Sequence, residues 1–389
     1  MNRRAAIIVL DGLGIGPAHD SDSYGDAGSN TLGNVLQSGP PLRLPGLERL
    51  GLGCCAPLRG VPPAGEPRAA FGTAQPRSPG KDSTTGHWEI CGVILERPFA
   101  TYPGGFPDPV LAEFSRRTGR GVLANRAASG TAVIDAFGAE HQATGSWIVY
   151  TSADSVFQIA AHEETVPLAE LYAACAAARE ILSGEHAVSR VIARPFAGTP
   201  GSYRRTPNRK DFSLEPSGAT LLDRCEAAGI PRVGVGKVDD LFAGRGISST
   251  HTATNAEAYH LIEAGLRDME GGLLFANVIE FDQTWGHRND VAGFRAGLAE
   301  LDRAIPGLLS GVRDQDLVIF TADHGNDPTT PSTDHSRERV PLLVYGPRIG
   351  AVPLGERPTF ADIGQTVAEF LGTAPLAAGT SFLKEVWRG

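Results

Sequence analysis

The stretch Leu317-Val-Ile-Phe-Thr-Ala-Asp-His-Gly-Asn326 joins an apolar run to an aspartate and a histidine. Such a run predicts a buried strand, so Asp323 and His324 are expected where that strand meets its loop. Open α/β sheets bind their ligands at this position. A carboxylate and an imidazole, with His335 eleven residues further on, suit a divalent transition metal better than calcium. Taken alone, the stretch is also compatible with a capped turn and a surface histidine.

Two further apolar runs lead to aspartates in the same way. Residues 5–10 are followed directly by Asp11, and residues 272–279 precede Asp282, with His287 five positions later. The chain therefore offers three carboxylates and three imidazoles at predicted strand ends. This number is sufficient for two metal ions with three protein ligands each and open positions for a substrate.

The charge balance of such a site favours an anionic substrate. Two divalent ions bring four positive charges and three carboxylates remove three, which leaves about one positive charge in a poorly solvated cleft. The whole chain carries a net charge of -9. Binding of nucleic acid requires a broad basic face, so we expect one small phosphate compound instead.

The segment Gly80-Lys-Asp-Ser-Thr-Thr-Gly-His-Trp-Glu89 holds the candidate nucleophile. Asp82 and Ser83 followed by small residues resemble a helix N-cap, which places the Ser83 hydroxyl beside backbone amides that attract anions. Thr84 and Thr85 are rival hydroxyls. The structural alternative is a capping serine in a polar turn.

The length of the chain and its composition predict two compact domains. With 389 residues, of which 41% are hydrophobic, the chain is long enough for two cores. Glycine- and proline-rich segments at residues 98–107 and 215–218 mark crossings between them. We expect a core domain of residues 1–98 and 216–389, with an inserted smaller α+β cap domain of residues 99–215.

Hydrophobic periodicity supplies the predicted elements of both domains. In the cap we expect strands at residues 147–150 and 189–193 and a helix at 167–182. After residue 216 we expect strands at 232–235 and 341–345 and helices at 216–228, 255–269, 291–309 and 359–371. The alternation of helices and strands predicts an α/β fold with a doubly wound sheet.

The cap also contains a dense basic cluster. Its members lie within seventeen residues: Arg194, Arg204, Arg205, Arg209 and Lys210. Arginine binds phosphate oxygens in a bidentate manner, so a phosphate group of the substrate could be bound here. Solvated loop charge is the alternative interpretation.

The cysteine content, the apolar runs and the glycine pattern exclude further classes of protein and site. Five irregularly spaced cysteines indicate neither a disulfide framework nor a zinc ribbon, which favours the reducing cytoplasm. The apolar run before Asp11 is too short for a signal peptide, and no run approaches a membrane span. A dinucleotide fingerprint that begins at Gly12 and Gly14 fails because Pro17 occupies the third glycine position.

The motifs, taken in order, resemble those of the alkaline phosphatase superfamily and, within it, of the phosphopentomutases. The resemblance covers nearly the whole chain. It rests on Asp11, Lys81-Asp-Ser-Thr-Thr-Gly-His87, Phe281-Asp-Gln-Thr-Trp-Gly-His287, Thr321-Ala-Asp-His-Gly-Asn326 and Thr333-Asp-His335. The phrases Tyr150-Thr-Ser-Ala-Asp-Ser155, Ile192-Ala-Arg-Pro195 and Arg205-Thr-Pro-Asn-Arg209 also match.

The resemblance implies a role for each matching residue. The fold would be alkaline-phosphatase-like, with manganese as the usual ion. One ion would be held by Asp282, His287 and His335, and the other by Asp11, Asp323 and His324. The nucleophile falls on Ser83, where the family usually has threonine. Substrate contacts fall on Ser152, Asp154, Arg194, Arg209 and Lys237.

The implied activity is that of an isomerase, a phosphopentomutase. It would interconvert ribose or deoxyribose 1-phosphate and 5-phosphate through a phosphoserine and a bisphosphate intermediate, with a sugar bisphosphate as activator. Alternatives are a metal-dependent sugar-phosphate phosphatase, a mutase paralogue for another sugar phosphate, and a non-catalytic sugar-phosphate binding protein. We expect a cytoplasmic monomer that binds one small pentose phosphate, without a nucleic acid or membrane partner.

Overall fold

A computed structural model describes residues 3–152 and 155–389 of the chain. The chain divides into two compact units. The core unit consists of Met1–Arg97 and Pro216–Gly389, and the inserted unit consists of Pro98–Glu215.

Strands are numbered along the chain. They are β1 Arg4–Leu10, β2 Ala70–Ala74, β3 Val122–Ala127, β4 Trp147–Thr151, β5 Val156–His162, β6 Arg190–Ala197, β7 Arg204–Arg205, β8 Lys210–Ser213, β9 Arg232–Val235, β10 Ser249–Thr250, β11 Gly272–Val278, β12 Asp316–Thr321, β13 Val340–Tyr345 and β14 Pro353–Arg357.

Helices are numbered in the same way. They are α1 Thr31–Gln37, α2 Pro45–Leu50, α3 Leu52–Cys55, α4 Ser83–Ile90, α5 Asp108–Thr118, α6 Gly130–Thr144, α7 Leu168–Ile181, α8 Leu221–Ala227, α9 Val238–Leu241, α10 Asn255–Asp268, α11 Val291–Ser310, α12 Ala361–Leu371 and α13 Leu383–Val386. A π-helix, Phe281–Trp285, follows β11, and 3-10 turns cover Ser21–Tyr24, Gly184–His186 and Gly286–Arg288.

The core unit is built on an eight-stranded sheet in the order β10-β9-β11-β1-β12-β13-β2-β14. Its central strands β11, β1 and β12 are parallel. In their register, Leu10 pairs with Val278 and Val9 with Thr321, so the three strands end at the same edge. The α/β fold class predicted from the sequence is confirmed.

These central strands are buried along their whole length. A strand covered on both faces is apolar throughout, which is why the sequence shows runs rather than alternation. All three strands begin and end within two residues of the predicted runs. The predicted helix at 216–228 begins only at Leu221, because Thr220 and Asp223 form a capping box at that point.

The inserted unit has its own sheet, in the order β3-β4-β5-β6-β7, with β8 also paired to β6. Each face of this sheet carries a hydrophobic cluster. One includes Phe114 and Leu171 from α5 and α7, and the other includes Val133 and Ile134 from α6. The predicted strands and the helix α7 are present, whereas α5, α6 and β5 were not predicted.

No helix within residues 3–152 and 155–389 is both long enough and apolar enough to cross a membrane.

A buried ion pair joins the starting ends of β1 and β12. Arg4 and Asp316 are both 2% exposed, and Arg4 Nε donates to Asp316 Oδ1 at 3.0 Å. The same guanidinium donates to the carbonyl oxygens of Met269 (3.2 Å) and Gly311 (2.8 Å). Met269 directly follows α10, and Gly311 directly follows α11. Arg4 therefore ties two central strands to the ends of two covering helices.

We expect Asp316→Ala to lower the free energy of unfolding by about 3–5 kcal/mol, because it leaves a buried guanidinium without its partner. Denaturant unfolding of the purified protein measures this change. The matched control is Asp314→Ala, which breaks the solvent-exposed pair with Arg348 and should leave the unfolding midpoint unchanged. Equal changes in the free energy of unfolding for the two substitutions would contradict a stabilising role of the buried pair of Arg4 and Asp316.

Candidate metal centre

Three aspartates converge at the common edge of the central strands. Asp11 follows β1 directly, Asp323 lies two residues after β12, and Asp282 lies in the π-helix after β11. Their exposed fractions are 0%, 2% and 3%. A π-helix is rare and is often found at functional sites, where it redirects a side chain.

The first candidate ligand group consists of Asp282, His287 and His335, the three residues that the resemblance assigns to one ion. Their candidate ligand atoms all lie within 4.8 Å of one another. His287 Nε2 is 3.3 Å from Asp282 Oδ2, and His335 Nε2 is 3.4 Å from Asp282 Oδ1. Each imidazole therefore faces a different oxygen of the same carboxylate.

The second ligand group consists of Asp11, Asp282 and His324, whose ligand atoms again lie within 4.8 Å of one another. His324 Nε2 is 3.3 Å from Asp11 Oδ1 and 3.4 Å from Asp323 Oδ2. The predicted trio was Asp11, Asp323 and His324. Among the described residues Asp282 takes the place of Asp323 in this group, so Asp282 belongs to both groups, while Asp323 Oδ2 lies 3.4 Å from His324 Nε2.

The three imidazoles present their Nε2 atoms to the carboxylates because other groups hold Nδ1. His324 Nδ1 donates to the Gly325 carbonyl at 3.0 Å, and His287 Nδ1 donates to the Thr333 carbonyl at 2.7 Å. His335 Nδ1 lies 3.5 Å from Asp334 Oδ1. Fixing of Nδ1 by a backbone carbonyl or a carboxylate is the usual arrangement of metal-binding histidines.

The electrostatics of the centre shift its pKa values. Burial opposes ionisation of Asp11, but Lys237 and His324 outweigh it and hold the pKa of Asp11 well below its ordinary value. Burial likewise opposes ionisation of Asp282, whose pKa is nevertheless lowered by His335 and His287. Burial disfavours the charged form of His324, but Asp323, Asp11 and Asp282 raise its pKa to about 10.

These residues fit a divalent cation. Asp323 Oδ2 is buried and has no hydrogen-bond partner, although its other oxygen accepts from the Gly12 amide at 3.1 Å. A buried carboxylate oxygen without a donor is costly unless a cation faces it. Carboxylate oxygens and imidazole nitrogens together suit manganese, zinc or iron.

Ser83 is the first residue of α4 and points into the second ligand group. Its Oγ lies 3.1 Å from His324 Nε2 and donates to Asp11 Oδ1 at 3.2 Å. The N-cap of the helix is Asp82, whose side chain accepts from both the amide (3.0 Å) and the hydroxyl (2.6 Å) of Thr85. The Thr85 hydroxyl therefore serves the cap, whereas the Ser83 hydroxyl contacts the ligands.

A glycine permits the close approach of α4 to the metal-ligand loop. A Cβ atom at Gly86 would lie 2.2 Å from the carbonyl oxygen of Asp323. Any side chain at this position would push the helix, and Ser83 with it, away from the ligands.

Lys237 is at the same edge, as predicted, and its Nζ lies 3.0 Å from Asp11 Oδ2. Lys81 lies two residues before Ser83 and contacts Asp26 at 3.1 Å and Asp334 at 3.5 Å. Of the two lysines, Lys237 contacts a candidate metal ligand directly.

Three buried residues around the ligands were missed by the sequence reasoning. Asn326 Nδ2 donates to Asp282 Oδ1 at 2.8 Å, and Asn277 Nδ2 donates to Asp11 Oδ2 at 3.1 Å. His87 Nδ1 lies 3.1 Å from Asp323 Oδ2. The available signal was spacing: His87 is four residues after Ser83 on a predicted helix, and Asn277 lies near the end of a predicted strand.

The predicted substrate residues of the inserted unit form a separate basic cluster. Arg194 Nε donates to Gln158 Oε1 at 3.1 Å, and Arg209 makes a bidentate pair with Asp211, both bonds 2.7 Å long. Ser152 is half-buried beside this sheet's β4, and Asp154 lies outside the described residues.

Comparisons with known proteins agree with this chemistry. A family model described as the metalloenzyme superfamily matches residues 3–375. The chain is 54% identical over 390 residues to the phosphopentomutase of Anaeromyxobacter sp. (strain K), covering 100% of each. It is 51% identical over 388 residues to the phosphopentomutase of Caldanaerobacter subterraneus subsp. tengcongensis, covering 99% of this chain and 98% of that one.

Among solved structures, a phosphoglycerate mutase of Leishmania mexicana aligns with a TM-score of 0.49 and 12% identity, covering 98% of this chain and 97% of that one. This distant likeness adds nothing to the sequence comparisons.

We expect metal binding to release a proton from His324. With its pKa raised to about 10, the metal-free imidazole is protonated at neutral pH, and the ion must displace the Nε2 proton. The apparent affinity for Mn²⁺ should therefore rise about tenfold per pH unit between pH 7 and 9. Titration of chelator-treated protein at several pH values measures the slope.

The control is His260→Ala, which changes an exposed histidine outside the centre and should leave the slope unchanged. An affinity independent of pH over this range would contradict proton displacement.

Proposed function

We propose that this chain, which belongs to the metalloenzyme superfamily and to the phosphopentomutase family, interconverts pentose 1-phosphates and pentose 5-phosphates. Membership of these families makes it a mutase that uses divalent metal. Ribose and deoxyribose phosphates are the proposed substrates. The observation that carries the proposal is the position of the Ser83 hydroxyl, within 3.2 Å of both Asp11 and His324.

We propose that two divalent ions, Mn²⁺ in the cell, occupy the two ligand groups. Asp282, His287 and His335 would hold one, and Asp11, Asp323 and His324 the other, with Asp282 between them. When bound, the ions would lower the pKa of the Ser83 hydroxyl and neutralise the charge of the phosphoryl oxygens. The support is the number and type of donor atoms, together with the buried Oδ2 of Asp323, which accepts no hydrogen bond.

In the proposed reaction, phosphorylated Ser83 donates its phosphoryl group to the free hydroxyl of a pentose phosphate. The Oγ–P bond breaks, a sugar O–P bond forms, and the proton of the sugar hydroxyl restores the serine hydroxyl. The resulting bisphosphate then returns its other phosphoryl group to Ser83. A trace of sugar bisphosphate would therefore activate unphosphorylated enzyme.

Residues of the chain contribute to this transfer through charge and orientation. Asp11 Oδ1 accepts the hydrogen bond of the Ser83 hydroxyl and orients it. Ser83 is the first residue of α4, and the positive end of the helix dipole at this position favours a bound anion. Lys237, 3.0 Å from Asp11 Oδ2, adds a positive charge for the substrate phosphate.

We propose that Ser152, Asp154, Arg194 and Arg209 bind the sugar phosphate. The support lies in the basic cluster of the inserted unit. Burial and the nearby Arg209 and Arg205 lower the pKa of Arg194, so the like charges repel one another. The buried Tyr150 hydroxyl lies beside the same arginines. A phosphate group would relieve the repulsion between the like charges.

The remaining proposals concern the surroundings of the enzyme. We propose that it acts in the cytoplasm as a monomer on a single small-molecule substrate. The support is the presence of five free cysteines in the described structure and the acidic net charge of -9.

The decisive assay is incubation with ribose 1-phosphate, Mn²⁺ and a pentose bisphosphate primer. We expect ribose 5-phosphate without release of inorganic phosphate. Release of inorganic phosphate in proportion to substrate consumed would identify a phosphatase instead. Binding without turnover would indicate a sugar-phosphate binding protein.

Ser83→Ala should abolish formation of the phosphoenzyme while leaving metal content unchanged, because the ligand atoms remain. Mass spectrometry of the peptide that contains residues 81–89 and elemental analysis measure these two properties. Ser83→Thr should stay active, since it keeps the hydroxyl. The control is Thr84→Ala; loss of the phosphoenzyme in this variant alone would show that the nucleophile is misassigned.

Metal stoichiometry tests the position of Asp282 between the two groups. His287→Asn should reduce the bound metal from about two ions to about one, because it removes a ligand of one group only. Asp282→Asn should reduce it further, to below about one ion. Elemental analysis after gel filtration measures both, and equal metal content of the two variants would contradict a shared carboxylate.

A further inference from the structure

A buried histidine lies directly under the candidate nucleophile. His87 is on α4, four residues after Ser83, and its side chain is 0% exposed. Residues four apart on a helix share one face, so the imidazole reaches back to the first turn. There, His87 Nδ1 lies 2.8 Å from the carbonyl oxygen of Ser83 and 3.1 Å from Asp323 Oδ2.

The other ring nitrogen of His87 contacts Asn277 at the end of β11. Asn277 Nδ2 lies 3.1 Å from His87 Nε2 and also donates to Asp11 Oδ2 at 3.1 Å. The reverse orientation of the amide would place its oxygen against the Asp11 carboxylate, so the nitrogen must face both groups. The Asn277 oxygen is buried and has no hydrogen-bond partner.

These contacts fix the tautomer of His87. Because Asn277 Nδ2 is a donor, His87 Nε2 must accept and carries no proton. The ring proton then lies on Nδ1, where it is donated to the Ser83 carbonyl oxygen. His87 therefore accepts a hydrogen bond on one side of its ring and donates one on the other.

Together, the hydrogen bonds form a closed ring. Ser83 Oγ donates to Asp11 Oδ1, Asn277 donates to Asp11 Oδ2 and to His87 Nε2, and His87 Nδ1 donates to the Ser83 carbonyl oxygen. The ring thus holds both the backbone of Ser83 and the carboxylate that accepts its hydroxyl. All its members except Ser83 are at most 1% exposed.

We propose that His87 and Asn277 are positioning residues for phosphoryl transfer. His87 holds the first turn of α4, and Asn277 sets the rotation of the Asp11 carboxylate, so together they aim the Ser83 hydroxyl. This inference rests on the proposed function, in which Ser83 carries the phosphoryl group. Serine lacks the methyl group that restricts the χ1 angle of threonine, so this nucleophile depends more on external acceptors for its direction.

A purely structural role for His87 makes a different prediction. The ring stacks on Phe275 with centroids 5.7 Å apart, and a buried imidazole with both nitrogens satisfied also stabilises a core. Loss of such a core residue would reduce stability without a specific effect on turnover. The experiment must therefore separate folding from catalysis.

The chain offers a matched control for this purpose. His141 is 0% exposed, its Nδ1 donates to the Ser146 carbonyl at 2.6 Å, and its Nε2 accepts from the His162 amide at 2.8 Å. It is thus buried and bonded on both sides, like His87, but belongs to the inserted unit. His141→Phe should therefore destabilise the fold about as much as His87→Phe does, while the closed ring of hydrogen bonds around Ser83 stays intact.

The experiment compares His87→Phe, His87→Asn, Asn277→Leu and His141→Phe with the unaltered chain at saturating Mn²⁺. Each is assayed for kcat, KM, the rate of Ser83 phosphorylation by mass spectrometry, and thermal unfolding with and without metal. His87→Phe and Asn277→Leu should lower kcat and the phosphorylation rate by about 10- to 100-fold, with KM changed less than about threefold.

His87→Asn should recover part of the lost rate, because its amide nitrogen can replace Nδ1 as the donor to the Ser83 carbonyl. His141→Phe should lower the unfolding temperature but leave both rates at their original values. A wild-type kcat in His87→Phe, or an equal loss in His141→Phe at the same unfolding temperature, overturns the positioning role.

Ser83→Ala, assayed in parallel, separates this inference from the proposed function. Persistent phosphorylation in Ser83→Ala would refute the nucleophile itself. Loss of phosphorylation in Ser83→Ala together with normal turnover in His87→Phe would refute only the positioning role.

Discussion

The structure depends on the burial of three carboxylates at one sheet edge. Asp11, Asp282 and Asp323 are at most 3% exposed, and isolated negative charges in such surroundings would protonate rather than stay ionised. The pKa values of Asp11 and Asp282 are nevertheless lowered, because cationic and imidazole groups surround these carboxylates. Lys237 faces Asp11, while His324, His287 and His335 point their Nε2 atoms inward. These groups compensate only part of the negative charge of the three carboxylates. Divalent cations would compensate the remainder.

The sequence was sufficient to predict this edge because its determinants are local. A strand buried on both faces is an unbroken apolar run, and parallel strands deliver the residues that follow them to one edge. The division of the candidate ligands into two groups was not predictable in this way. Asp282 faces both groups because a π-helix redirects it after β11, and no local pattern distinguishes that turn from an ordinary helix start.

The two differences between predicted and observed helices have different physical causes. The helix α6, Gly130–Thr144, contains few large apolar residues, and its buried face uses Gly138 and His141 together with Val133 and Ile134. Its stability comes from packing against β4 and β5, which a single segment does not encode. The late start of α8 has a local cause. The capping box at Thr220 determines where the helix begins, but the apolar periodicity extends further toward the N-terminus and predicts an earlier start.

The candidate nucleophile and the candidate metal ligands form one structural unit. Gly86 lets the helix of Ser83 contact the Asp323 carbonyl, and His87 joins that helix to the same loop and to Asn277. A displacement of any of these elements would therefore move the serine and the ligands together. This coupling explains how a serine, which has a freer side chain than threonine, can occupy the position: its hydroxyl is directed by Asp11 and His324, which follow two central strands, and not by its own rotamer preference.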